Sequence, residues 1–282
     1  MSRIVLLNGD FLDFADAKLP IMDRGFLFAD GIYEVSAVLN GRTIDNEAHL
    51  ARLDRSLRAI DIPNPYSTAE WVGFQNDLIT RNGLREGTVY IQVTRGVAER
   101  EFTYAEGLTP TVLMVTQAKN LLTSKLAVDG ATVITLPDLR WARRDIKSVG
   151  LLAQVLAKQA AKRAGADEAW MVEDGLVTEG ASSSAFIVTR DGALVTRPFT
   201  QAVLPGVTRR AITALIRETD LRLDERAFSV AEALAAQEAF YTSASSFVTP
   251  VASLDGDPIG TGKPGPIAIK LREFYIRTAL AG

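Results

Sequence analysis

Leu151-Leu152-Ala153-Gln154-Val155-Leu156-Ala157-Lys158-Gln159-Ala160-Ala161-Lys162-Arg163-Ala164-Gly165 is the run from which the fold is read. Alanine and unbranched side chains lose little freedom in a helix, and glycine readily takes the left-handed conformation that ends one. The run therefore predicts a helix over 151–163 closed by Gly165. Downstream of Gly165 the period changes. Asp174-Gly175 and Asp191-Gly192 each separate short apolar runs, the pattern of two β-hairpins. Beyond them 206–218 reads as a helix, Ser229-Val230-Ala231-Glu232 caps a short one, and 239–242 and 248–253 read as strands. Just upstream, 131–136 is a strand.

The first third mixes the same elements. The apolar runs 4–7 and 33–39 end in Asn8-Gly9 and Asn40-Gly41, both hairpin signals. Leu50, Leu53, Leu57 and Ile60 recur three and four apart, which predicts a helix over 46–60. Ser67-Thr68-Ala69-Glu70 has the spacing of a capping box and opens a second helix that runs to about Asn82-Gly83. The β-branched stretches 88–94 and 111–115 predict strands. Polar-rich 119–125 is the candidate linker. Strands and helices intermix without a regular βαβ alternation, so an α+β architecture in two domains is expected.

Composition removes several kinds of function. With 31 basic and 34 acidic residues in 282, the net charge of -3 offers nucleic acid and anionic lipid no bulk attraction. No apolar run approaches the roughly 20 residues of a spanning helix, and the apolar stretch at the N-terminus is too short for a signal peptide, so a cytoplasmic location is expected. Cys is absent and His occurs once. Disulfides, Cys nucleophiles and zinc sites built on Cys or paired His are excluded, and His49 sits in what reads as an amphipathic helix. Proton transfer then falls to Lys, Asp, Glu or Tyr, or to a cofactor.

Five stretches carry candidate chemistry. Lys147 lies in Trp141-Ala142-Arg143-Arg144-Asp145-Ile146-Lys147-Ser148-Val149-Gly150. A lysine is nucleophilic when neutral, and Arg143 and Arg144, turned inward, would favour that form; the alternative is a basic surface loop. Glu179 leads into Gly180-Ala181-Ser182-Ser183-Ser184 between apolar strands. It can hold a cationic ring nitrogen, or be a solvated loop carboxylate. Leu204-Pro205-Gly206-Val207-Thr208-Arg209-Arg210 turns into a helix whose first amides, with the Thr208 hydroxyl, can bind phosphate. Thr242-Ser243-Ala244-Ser245-Ser246 is a second hydroxyl-rich run, and a plain helix start and a plain loop are the alternatives. Arg52, three residues after His49 on one helix face, can grip phosphate bidentately or be solvated. No Gly-x4-Gly-Lys-Ser/Thr run supports a nucleoside triphosphate site. Taken together, the set is what pyridoxal phosphate asks of a protein.

The order His49-x-x-Arg52, Asp145-Ile146-Lys147-Ser148, Thr178-Glu179-Gly180-Ala181-Ser182-Ser183, Leu204-Pro205-Gly206-Val207-Thr208-Arg209 resembles the fold type IV pyridoxal phosphate enzymes. These are the D-amino acid and branched-chain aminotransferases, aminodeoxychorismate lyase and the (R)-selective amine transaminases. The likeness runs from about Gly9 to Val251. It implies a smaller N-terminal α/β domain over 1–118, a larger C-terminal one over 126–282, and the cofactor in the cleft between them. It also implies a homodimer whose active site borrows loops from the partner subunit. By motif, Lys147 is the lysine that holds the cofactor as an imine and moves the proton, and Glu179 keeps the pyridine nitrogen protonated. Arg52, Val207, Thr208, Ser243 and Ala244 hold the phosphate, and Leu204 packs under the ring.

Asp23-Arg24-Gly25-Phe26-Leu27-Phe28-Ala29-Asp30-Gly31-Ile32-Tyr33-Glu34-Val35 is similar to the D-amino acid branch, where the tyrosine lines the substrate pocket. So is Thr94-Arg95-Gly96-Val97-Ala98-Glu99-Arg100-Glu101-Phe102. That branch traps the substrate carboxylate with an Arg-x-His pair. Arg100 fits the arginine, but Phe102 stands where histidine is expected, so the trap is non-standard. The expectation is a transaminase that moves the amino group of a D-amino acid to a 2-oxo acid such as 2-oxoglutarate, with room for (R)-amines. The alternatives on the same fold are a branched-chain L-amino acid or (R)-amine transaminase and aminodeoxychorismate lyase. A cofactor-free lyase on Lys147 would leave Glu179 and the phosphate elements without a role.

Overall fold

The computed structural model describes residues 3–216 and 221–281. The chain divides into two compact units. The first holds Met1–Asn120 with Ile146–Gly150, and the second Leu121–Asp145 with Leu151–Gly282.

The first unit contains β1 (Ile4–Leu7), β2 (Asp10–Asp13), α1 (Arg24–Phe28), β3 (Gly31–Leu39), β4 (Arg42–Thr43), α2 (Asn46–Arg58), α3 (Thr68–Arg81), β5 (Glu86–Thr94) and β6 (Thr111–Ala118). Its sheet, in the order β2-β1-β6-β5-β3-β4, is antiparallel throughout. Two turns fix its registers. Asn8 and Gly9, like Asn40 and Gly41, have positive φ, which is the twist a two-residue hairpin needs. The capping box opens α3: Glu70 N donates to Ser67 Oγ (3.3 Å) and Ser67 N to Glu70 Oε2 (2.8 Å). Leu50, Leu53, Leu57, Trp71 and Leu78 from α2 and α3 bury themselves with Ile32, Val38, Val89 and Ile91 of the sheet. That face of the sheet is the first core.

The second unit contains α4 (Lys125–Asp129), β7 (Ala131–Pro137), α5 (Leu152–Arg163), β8 (Glu168–Glu173), β9 (Leu176–Gly180), β10 (Ser184–Val188), β11 (Ala193–Thr196), α6 (Val207–Ile216), β12 (Arg222–Glu225), α7 (Val230–Ala235), β13 (Glu238–Ser243), β14 (Phe247–Leu254), β15 (Asp257–Pro258) and α8 (Pro266–Ala281). Its mixed sheet runs β12-β11-β10-β13-β14-β7-β8-β9, with β15 on β14. The α+β expectation therefore holds. The hairpin at Asp174-Gly175 joins β8 to β9 with positive φ at both turn residues. The last residues of the helix expected over 206–218, 217 and 218, lie outside the described residues. Helix α8 is not among the helices expected from sequence, because its buried stripe, Ala268, Leu271, Arg272 and Tyr275, includes a charge and breaks the apolar pattern. Among the described residues no helix is long and apolar enough to cross a membrane.

One short segment crosses the linear division. Ile146 is buried in the first core, Tyr33 N donates to Lys147 O (2.9 Å), and Val149 N donates to Gly31 O (3.0 Å). Residues 146–150 thus line the start of β3, and Lys147 belongs to the first unit although it follows the linker read at 119–125. Lys147 is thus placed by a neighbour buried in a core and by its backbone's hydrogen bond to a strand.

Candidate active site

Because the 146–150 segment lies along β3, Lys147 meets Tyr33. Its Nζ stands 4.1 Å from the centre of the Tyr33 ring, which stacks in turn on Tyr90 at 5.7 Å. Burial, with the Tyr33 charge second, pushes the Tyr90 phenol up to about 12. Lys147 N also donates to Ser56 Oγ of α2 (3.4 Å). The expectation that Arg143 and Arg144 act on this lysine is not what the structure shows. Arg143 pairs with Asp145 (3.0 Å) and Arg144 with Glu173 (2.6 Å), so each guanidinium is met by a carboxylate close to it.

Helix α2 carries two stripes. Leu50, Leu53 and Leu57 enter the core, and His49, Arg52 and Ser56 form a buried polar stripe beside them. The stripe faces Glu34 of β3. Arg52 Nε donates to Glu34 Oε1 (2.6 Å) and Arg52 Nη2 to Oε2 (2.9 Å), while His49 Nδ1 lies 2.8 Å from Oε2. Burial by itself would push the Glu34 carboxyl up. The Arg52 charge and the hydrogen bonds from Arg52 and His49 outweigh it and hold the group well below the usual carboxylate range. Arg52 is thus neither solvated nor loosely placed, since Glu34 fixes its Nε–Nη2 edge. Reading the sequence did not find Glu34 as a brace. A signal for it exists, because Ile32, Glu34, Ser36 and Val38 alternate on the buried side of β3.

In the second unit Glu179, the fourth residue of β9, is buried. Arg140 Nη1 donates to its Oε1, and the Leu204 amide donates to Oε1 (3.0 Å) and Oε2 (3.2 Å). Arg140 is itself held by Asp138 through Nε (3.0 Å) and Nη2 (2.7 Å), and Thr178 Oγ1 donates to Asp138 Oδ2 (2.7 Å). Burial pushes the Glu179 carboxyl up, and Arg140 and the Leu204 amide offset only part of that. A carboxylate has about four acceptor sites. Oε2, bonded here by one long amide contact, keeps capacity for a further N–H donor. A Cβ on Gly180, next in line, would lie 2.1 Å from Ser183 Oγ and would displace that hydroxyl. Arg140 and Asp138 were missed from sequence because their partners lie about forty residues downstream.

The two phosphate candidates of this unit converge. Val207 and Thr208 open α6 just after Gly206, and a Cβ on Gly206 would lie 2.8 Å from Ser184 Oγ. Ser184 of β10 stands directly opposite Thr242 of β13. The helix start and the Thr242–Ser246 turn are therefore neighbours through Ser184. The Oγ1 atoms of Thr208 and Thr242 are buried and have no hydrogen-bond partner. Such atoms are costly unless something bonds them, and phosphate oxygens accept from hydroxyls. Ser243 and Ala244 lie at the mouth of this turn, half-buried, with Ser243 Oγ 2.7 Å from Ser246 Oγ. The residues present fit a phosphorylated pyridine cofactor.

The remaining candidates lie in the first unit. Arg100 is exposed, with its guanidinium carbon 5.3 Å from the centre of the Phe28 ring. Phe102, 82% exposed, packs on the same ring at 5.6 Å. Their loop is tied down from below: Arg24 Nη1 donates to Glu101 O (2.6 Å), and Arg24 Nε donates to Asp30 (2.8 Å), which Arg95 also holds (2.7 Å).

Known proteins share both the sequence pattern and the fold. The profile of the amino-transferase class IV family matches residues 31–254. The D-alanine aminotransferase of Bacillus licheniformis is 41% identical over 263 residues, 93% of this chain and 92% of that protein. Among solved structures, the Escherichia coli branched-chain amino acid aminotransferase superposes with a TM-score of 0.91 at 24% identity, covering 99% of this chain and 95% of that one. A hypothetical aminotransferase from Mycobacterium tuberculosis in its PLP-bound form superposes with a TM-score of 0.84 at 25% identity, over 99% of both chains.

Proposed function

This chain belongs to the amino-transferase class IV family, and from that premise we propose a role for each residue of its site. It is a pyridoxal phosphate-dependent transaminase of the D-amino acid type, moving an amino group from a D-amino acid to a 2-oxo acid. When bound, pyridoxal phosphate supplies an aldehyde that an amine can join and a ring that withdraws electrons from the substrate carbon.

The lysine Lys147 provides that amine and carries the proton at the substrate Cα, with Tyr33 packed against its Nζ. The carboxyl of Glu179 holds a ring nitrogen in its protonated form through Oε2, while the Leu204 amide and Arg140 keep its orientation. The side chain of Leu204 packs under the ring. Arg52, the Val207 and Thr208 amides, Ser243 and Ala244 hold the phosphate. The observation that carries this reading is Glu179, a buried carboxyl whose value is pushed up and whose one oxygen has acceptor capacity to spare. That oxygen can accept from a protonated ring nitrogen, and its raised value makes it a stronger acceptor for one.

Arg100 binds the substrate carboxylate beside Phe102. The expected assay result is turnover of D-alanine with 2-oxoglutarate exceeding that of L-leucine and (R)-1-phenylethylamine. No turnover of D-alanine or D-glutamate would contradict the assignment. Introducing a donor with Phe102→His should lower KM for D-alanine by about tenfold to a hundredfold, since one hydrogen bond to a charged group is worth about 1.5–3 kcal/mol. An unchanged KM would show that the trap does not need it.

A homodimer fits the apolar surface of the first unit, where Ile21 and Phe26 are each 76% exposed. Sedimentation should give twice the chain mass of 30.5 kDa. A cytoplasmic location is our expectation, which cell fractionation checks.

A further inference from the structure

Arg272 of α8 is buried, and among the described residues no carboxylate pairs with it. Its guanidinium donates instead to four carbonyls. Nη1 reaches Ser246 O (2.7 Å) and Val248 O (3.0 Å), and Nη2 reaches Leu121 O (2.7 Å) and Leu122 O (3.2 Å). A cation buried without a counter-charge is costly, so its retention asks for a reason.

The first two carbonyls lie on either side of Phe247. Its φ of 57° is in the left-handed region, where a bulky side chain is strained. The position explains the strain. Ser243 pairs with Phe247 across the β13–β14 hairpin, so Ala244, Ser245 and Ser246 form a three-residue turn. Phe247, the first residue after that turn, takes the left-handed conformation that glycine adopts most easily. Its ring is buried, 5.3 Å from Tyr275 on the same helix that carries Arg272. The grip on Ser246 O and Val248 O holds the backbone in a conformation that Phe247 alone disfavours.

This is the turn to which the proposed function gives the phosphate. It begins beside the unpartnered Thr242 hydroxyl and carries the Ser243–Ser246 hydroxyl pair. We infer that Arg272 is a positioning residue for the cofactor phosphate: by clamping the carbonyls on both sides of Phe247 it fixes the shape of the Thr242–Ser246 turn. The inference rests on the reading of this turn as a phosphate element, and the test separates the two.

The full-length chain stripped of cofactor is titrated with pyridoxal phosphate and with pyridoxal, which lacks the phosphate, following the visible absorbance. Arg272→Met should raise Kd for pyridoxal phosphate by about tenfold or more while leaving Kd for pyridoxal within about twofold, with Arg272→Lys in between. Thr242→Val tests the turn itself. Selective weakening in both variants supports the inference. Selective weakening in Arg272→Met alone keeps it and removes only the Thr242 hydroxyl from the site. A Thr242→Val effect with unchanged affinities in Arg272→Met and Arg272→Lys overturns the role of Arg272 and leaves the turn's role standing. Parallel loss of both ligands in the two arginine variants marks a general structural role and overturns it, and no selective effect in any variant overturns both readings.

Discussion

Replacing Lys147 with alanine is expected to lower D-alanine transamination by about 10⁴-fold or more, because one amine serves both as the covalent anchor and as the proton carrier. The fold should survive. The interactions that place the segment use backbone atoms, Tyr33 N to Lys147 O and Val149 N to Gly31 O, and the buried side chain of Ile146. Truncation removes the contact of Nζ with the Tyr33 ring, worth about 1 kcal/mol, so thermal unfolding should shift by only a few degrees. A small added amine such as methylamine should restore part of the rate. A variant that keeps near-normal turnover with an unshifted melting curve would remove Lys147 from the mechanism.

The second large effect is on stability. Glu34→Gln takes the charge from a carboxylate that Arg52 grips at 2.6 and 2.9 Å and that His49 touches at 2.8 Å, all three side chains being buried. Removing one partner strands the other's charge in a low-dielectric interior, which costs about 3–5 kcal/mol. For a chain of this size that is a fall in Tm of roughly 10 °C. The pH dependence has a definite sign. The Glu34 carboxyl is lowered from its ordinary value of 4.5, so its contribution is fully present above about that pH and is lost as pH falls below it. The wild-type melting temperature should therefore drop more steeply in acid than that of Glu34→Gln. Parallel acid limbs, or a Tm change under about 2 °C, would show that the cluster contributes little.

What the sequence made legible was local. Asn8-Gly9 and Asn40-Gly41 announce hairpins because few other residues take two successive positive φ values, and the structure has both turns. The Ser67 capping box is written in four consecutive residues, and the apolar stripe of α2 in its own period. The candidate residues for the chemistry were read from motif order, which no single spacing would have supplied. What stayed hidden are pairings across the chain. Glu34 advertises itself as a charge on the buried side of a strand, but its partners stand on another element. Arg140 meets Glu179 across 39 positions, and Arg272 reaches Leu122 across 150. The return of 146–150 to the first unit rests on the burial of Ile146 and two backbone hydrogen bonds to β3, which a linear division cannot anticipate. Arg143 and Arg144 misled for a related reason: a charge near in sequence acts on whatever carboxylate is nearest in space, and those are Asp145 and Glu173.

The central claim is that the amine beside Tyr33 is the one that bonds the cofactor. Reducing the pyridoxal phosphate-loaded protein with borohydride, digesting it and mapping peptides by mass tests this directly. One phosphopyridoxyl group per chain, carried by the peptide that contains Lys147, is the predicted result. The same group on another lysine, or no stable adduct from a visibly yellow protein, would contradict the account.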